Sequence, residues 1–60
     1  MYVWRGGKTV TFGQNGEKTI KVRFKKSHEA TDFRNAISLE NKKSYSEAIR
    51  LIKRYNGRRI

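Results

Sequence analysis

One segment constrains this chain more than any other. Thr19-Ile20-Lys21-Val22-Arg23-Phe24-Lys25 alternates polar and apolar residues without a break. Side chains of a strand point to opposite faces in turn. Ile20, Val22 and Phe24 therefore share one side, and Thr19, Lys21, Arg23 and Lys25 share the other. Alternation of this kind specifies a half-buried strand. Its apolar side needs a covering layer, and its cationic side is left free. Fifteen Lys and Arg stand against five Asp and Glu, a net charge of +10. A free cationic face on such a chain suits a polyanion.

Sixty residues form a single small basic domain, residues 1–60. A domain of this size buries only about 60% of the surface its unfolded chain exposes, so its stability is marginal. No cysteine is present, which excludes a disulfide framework and a thiolate metal site. One histidine and five acids do not suffice for a histidine–carboxylate metal cluster. No apolar run approaches the roughly 18 residues of a membrane span. Met1-Tyr2-Val3-Trp4-Arg5 has the character of neither a signal nor a transit peptide. The expectation is a cytoplasmic, intracellular domain without a membrane partner, nucleoid-associated if it binds DNA. Basic residues interleave with apolar ones along the whole chain, which favours a folded basic surface over a disordered arm.

The glycines lie in the first 16 residues and at Gly57, so the front half reads as strands and turns and the back half as helices. The first strand is Tyr2 to Arg5, the second Lys8 to Phe12 and the third Lys18 to Lys25. A turn at Gly6-Gly7 pairs Arg5 with Lys8, Trp4 with Thr9 and Val3 with Val10. A three-residue loop, Gln14-Asn15-Gly16, pairs Gly13 with Glu17, Phe12 with Lys18 and Val10 with Ile20. It is preferred to a two-residue Asn15-Gly16 turn, because a slip of one residue would mix charge into the apolar face. Val3, Val10, Phe12, Ile20, Val22 and Phe24 then share the core face. Tyr2 and Trp4 fall on the polar face, where aromatics suit contact with sugars and bases. A bulged first turn would instead place Trp4 in the core.

Ser27 is a candidate cap for a first helix, with Glu29 and Asp32 near its positive end. Ala30, Phe33 and Ile37 recur at helical spacing, with Ala36 beside them. Glu40-Asn41-Lys42-Lys43 reads as a loop or a frayed end. Ser44 and Glu47 fit a capping box that opens a second helix from Tyr45 to about Asn56. Tyr45, Ala48, Ile49, Ile52 and Tyr55 form its apolar stripe, Arg50, Lys53 and Arg54 its outer face, and Gly57 its stop. The fold class is α+β: a three-stranded antiparallel sheet with two C-terminal helices packed on its apolar face. Arg58 and Arg59 are expected to form a mobile, non-specific tail.

Nothing in the pattern supports catalysis, and neither an enzyme activity nor a cofactor is expected. His28 sits in a helical first turn, Ser44 and Ser46 belong to a cap, and Gly13-Gln14-Asn15-Gly16 lacks the Gly-Lys-Ser/Thr of a phosphate loop. The case for binding rests on combination. Lys21, Arg23, Arg5 and Trp4 are candidates for base or sugar contacts, with Tyr2 beside them. Thr9, Thr11 and Thr19 can reach phosphates or thymine methyls, and Lys25 and Lys26 the flanking backbone.

Phe24-Lys25-Lys26-Ser27-His28-Glu29-Ala30-Thr31-Asp32-Phe33 resembles the strand-to-helix junction in the N-terminal arm-binding domains of phage-type tyrosine integrases. That family often shows Phe-Lys-Thr-x-x-Glu-Ala-x-x-aromatic after three short strands. Phe24, Glu29, Ala30 and Phe33 match, and Lys26 departs from the threonine. The plant ethylene-response DNA-binding domain is similar in its Trp- and Arg-bearing sheet. The resemblance covers roughly residues 2–37 and leaves the second helix outside it. It implies a three-stranded sheet in the major groove of double-stranded DNA, with Tyr2, Trp4, Arg5, Lys21 and Arg23 on the DNA side, and a role in transcription regulation or DNA recombination. Thr19 to Phe24, a helix, and Ser44-Tyr45-Ser46-Glu47-Ala48-Ile49 also resemble ribbon-helix-helix repressors. That likeness implies a homodimer and leaves the N-terminal hairpin unexplained. The monomeric sheet is the favoured reading. Structured RNA, or an acidic protein met by a small interaction module such as a phage-encoded inhibitor, are the competing partners.

Overall fold

Phe33 organises the apolar layer. Its ring lies 5.4 Å from that of Phe24, 5.9 Å from that of Phe12 and 6.0 Å from that of Tyr55. The computed structural model describes residues 1–38 and 43–60. The loop expected at Glu40-Asn41-Lys42 lies outside the described residues; Lys43 is non-helical. Strands β1 (Tyr2–Gly6), β2 (Thr9–Gly13) and β3 (Ile20–Arg23) are followed by helices α1 (Ser27–Ile37) and α2 (Tyr45–Arg54) and by strand β4 (Arg58–Arg59). The fold is α+β, with one antiparallel sheet of order β1-β2-β3-β4. Val10, Phe12, Ile20, Val22 and Phe24 meet Ala30, Phe33 and Ile37 of α1 and Ala48 and Ile52 of α2, all buried.

Both hairpins depart from the expected register by two residues. Val3 lies opposite Phe12, and Phe12 opposite Ile20. The first turn is Gly7-Lys8 rather than Gly6-Gly7, with Gly7 at φ 64° as the first central residue of a type II′ turn requires. Tyr2 gains by this slip: it falls opposite Gly13, where a Cβ would come within 2.5 Å of the Tyr2 hydroxyl. The ring occupies the space that Gly13 leaves empty, an arrangement known to support glycines in sheets. The second connection runs from Gln14 to Thr19, with a Glu17 N–H to Gln14 carbonyl turn at 3.0 Å and Gly16 at φ 85°. It keeps Lys18 away from Phe12, a pairing that would set a charge on the core face. The Tyr45 hydroxyl donates to the Lys18 carbonyl at 2.7 Å and ties this loop to α2.

Helix capping is also partly redistributed. Lys26, not Ser27, is the N-cap of α1, and its N–H donates to the Glu29 carboxylate at 3.3 Å. Ser44 caps α2 as its sequence requires: its hydroxyl accepts from the Glu47 N–H, and the Glu47 carboxylate accepts from the Ser44 N–H. The stop of α2 involves two residues. Asn56 takes the left-handed conformation at φ 64°. Its N–H donates to the Lys53 carbonyl at 3.1 Å, and the Gly57 N–H donates to the Ile52 carbonyl at 2.8 Å. These are the two bonds of a Schellman motif. The Asn56 side chain then donates to Glu29 at 3.0 Å, joining the end of α2 to the start of α1.

This reversal overturns two expectations, the three-stranded sheet and the mobile tail. Arg58 and Arg59 form a fourth strand beside β3, with Arg58 opposite Arg23 and Arg59 opposite Val22. Gly57 permits it by close approach: a Cβ there would lie 2.5 Å from Val22 Cγ1 and 2.8 Å from the Phe24 ring.

Gly57→Ala is accordingly expected to destabilise the fold by about 1–3 kcal/mol, the usual cost of overpacking, seen as a lowered urea midpoint. The Glu47 carboxyl is held below its ordinary value, first by the Ser44 N–H and then by the Ser44 hydroxyl at 3.0 Å. A group lowered on folding contributes stability above its unfolded value and loses it as pH falls through the folded one. Glu47→Gln should therefore remove part of the acid-side loss of stability, measured by thermal melts from neutral to acid pH.

Candidate nucleic-acid interface

Two helices of 11 and 10 residues cover one face of the sheet. The opposite face carries three rows of side chains set by strand pairing. The first row is Gly6, Thr9, Arg23 and Arg58. The second is Trp4, Thr11 and Lys21, with Ile60 joined to it through an N–H to the Lys21 carbonyl at 3.1 Å. The third begins with Tyr2 and Gly13 and ends at Thr19, whose hydroxyl lies 2.7 Å from that of Tyr2. No row contains an acid. Among the described residues the one ion pair is Lys43–Glu47, far along the sequence from these strands.

The aromatic end of the face is preassembled. Tyr2 and Trp4 stack with ring centroids 5.5 Å apart and planes 17° from parallel. Trp4 remains 54% exposed and Tyr2 41%. The core placement of Trp4 does not occur. A tryptophan this open, held on a hydrogen-bonded tyrosine, presents a flat apolar shelf beside the cations.

The other expected site residues separate into groups. Lys21, Arg23 and Thr19 are exposed, and Thr9 is half-buried. Thr11 is 5% exposed, in the floor between Trp4 and Lys21, so it supports its neighbours rather than reaching a phosphate. Arg5 pairs with Val10 and so belongs to the helix-side face of edge strand β1. Its guanidinium donates to the Gly7 carbonyl at 2.8 Å, bracing the turn. The expected grouping of Arg5 with Tyr2 and Trp4 fails for a simple reason: adjacent residues of a strand cannot share a face. Lys25 and Lys26 lie exposed between β3 and α1. Arg58 is the member that sequence reasoning missed. Its signal was the Asn56-Gly57 pair, which reverses the chain at the end of α2.

A second basic surface lies on the other side. A groove of 440 Å³ between α2 and β4 is lined by Ile49, Ile52, Arg50, Lys53 and Arg59, and Arg58, whose pairing sets it in the first row of the open face, borders this groove too. Among the described residues no helix is long and apolar enough to cross a membrane. Comparison with protein-family models, curated proteins and solved structures gives no match to this chain.

Because Trp4 stands on the open face, Trp4→Ala should lower folding stability by less than about 1 kcal/mol, the size of a cross-strand pair such as Trp4 with Thr11. Phe12→Ala should lower it by about 3–5 kcal/mol. Urea unfolding of the two variants tests the assignment of faces.

Proposed function

We propose that this chain is a non-enzymatic double-stranded DNA-binding domain whose open sheet face enters the major groove, in a regulatory or recombination-associated role. The observation that carries the reading is the set of rows itself: Lys21, Arg23 and Arg58 on one open face beside a stacked Tyr2–Trp4 pair, with no acid in the three rows. The major groove is about 12 Å wide and admits a two-stranded ribbon. Strands lie about 4.8 Å apart, so β2 and β3 fit within it side by side. Lys21 and Arg23 then face base edges, and arginine can bridge the O6 and N7 of guanine. Lys25 and Lys26, just beyond β3, suit the adjoining phosphates. The integrase arm-binding resemblance calls for three strands ahead of a helix, the order β1-β2-β3-α1; β4, α2 and the helix-side Arg5 fall outside it. The flanking of β3 by β2 and β4 within one chain favours a monomer over a ribbon-helix-helix dimer, which needs that strand's edge for a second copy.

A rival reading, a module docking on an acidic protein, draws on the groove between α2 and β4, with Ile49 and Ile52 as floor and Arg50, Lys53 and Arg59 as rim. The two are separated by duplex titrations at several salt concentrations, with RNA and single strands in parallel. Arg23→Ala should weaken binding to a preferred duplex by about 1–3 kcal/mol while sparing other sequences, as a lost base contact does. Equal loss on every sequence would assign Arg23 to a phosphate. No duplex binding even at low salt would leave the acidic-protein reading.

A further inference from the structure

We infer that Arg58 is a phosphate clamp and that β4 docks most firmly when a nucleic-acid phosphate lies beside it; the inference rests on the DNA reading above. Three observations lead there. The first is position. With β2 and β3 centred in the groove, each lies about 2.4 Å from its midline, and β1 and β4 about 7 Å from it. The half-width of the groove is about 6 Å. The outer strands therefore stand over the two walls, which are sugar and phosphate. Tyr2 and Trp4 of β1 meet one wall, and Arg58 of β4 meets the other.

The second observation is charge. Arg58 lies directly opposite Arg23 with no acid in their row. Like charges directly opposite across two strands destabilise the pairing. An anion between or beside them removes that penalty. Thr9, opposite Arg23 on its other side, adds a hydroxyl to the same row.

The third is the slightness of β4. It is two residues long, and its pairing ends in the Ile60 N–H to Lys21 carbonyl bond at 3.1 Å. An element this short opens at little cost. A phosphate that favours its docked form must be bound more tightly by that form, by linkage. The tail and the anion thus stabilise one another.

The test uses the full chain and a random-sequence duplex. Arg58→Gln should reduce the magnitude of the slope of log K against log salt by about 0.9, the loss of one phosphate contact, with equal weakening on all sequences. Arg54→Gln removes the same charge from α2 and should leave the slope unchanged. Amide exchange at Ile60 should slow when the wild-type chain binds the duplex, and slow less in Arg58→Gln. A wild-type slope in Arg58→Gln, or unaltered Ile60 exchange in the complex, overturns the inference and leaves the DNA reading standing. If the wild-type chain binds no duplex, that reading falls and inorganic phosphate becomes the probe. Slower Ile60 exchange in phosphate than in chloride at equal ionic strength, abolished by Arg58→Gln, sustains the anion site. Equal exchange in the two salts overturns it.

Discussion

The packing of Phe33 against Phe12 and Phe24 is the contact on which the rest depends. It fastens α1 to β2 and to the residue that follows β3, and Tyr55 brings the end of α2 onto the same ring. Among the described residues ten buried apolar side chains make up the core, in keeping with a domain of 60 residues. A core of that size supports one covering layer. Among the described residues nothing covers the other face of the sheet, and a face left open must be wettable. Threonines, lysine and arginine meet that requirement; Tyr2 and Trp4 exceed it, because a solvated face has no need of two stacked rings.

Charge follows from the same geometry. Concentrating cations on one face of a small domain raises its self-energy and lowers an already modest stability. The chain compensates with local devices of high quality for their length: the Ser44–Glu47 capping box, the Schellman turn at Asn56 and the Asn56–Glu29 bond between helix ends. The capping box fixes the start of α2, and the Schellman turn with the Asn56–Glu29 bond sets the reversal from which β4 pairs with β3. The cationic face is thereby one strand wider than the hairpins alone provide.

Parity proved far more legible than register. Both hairpins are displaced by two residues from the pairing that turn chemistry suggests, yet every residue of β1 to β3 keeps its expected face except Arg5. A shift of two preserves the alternation of a pleat, and a shift of one would invert it. The displacement itself came from contacts distant in sequence. Tyr2 needed the space over Gly13 and the hydroxyl of Thr19, and Phe12 needed Ile20 rather than Lys18 opposite it. Gly7-Lys8 is itself a favoured hairpin turn, so for the first hairpin these contacts chose between turns of similar quality. Ser27 yielded its capping place to Lys26 in the same way, because the α1 start is set by Glu29 reaching back to the Lys26 N–H.

The amino-acid pattern alone determined the α+β class, both helices and their buried stripes, and the sorting of Ile20, Val22 and Phe24 from Lys21 and Arg23. These follow from periodicities of 2 and 3.6 residues, which are local and strong. Tertiary structure decided the turn positions, the seclusion of Arg5 and Thr11 from the open face, and the recruitment of Arg58 into it. Each depends on what lies opposite in space: Val10 for Arg5, Trp4 and Lys21 for Thr11, and the bare Gly57 against Val22 and Phe24 for the returning strand. Such neighbours are brought together only by the closed fold, and no local pattern encodes them.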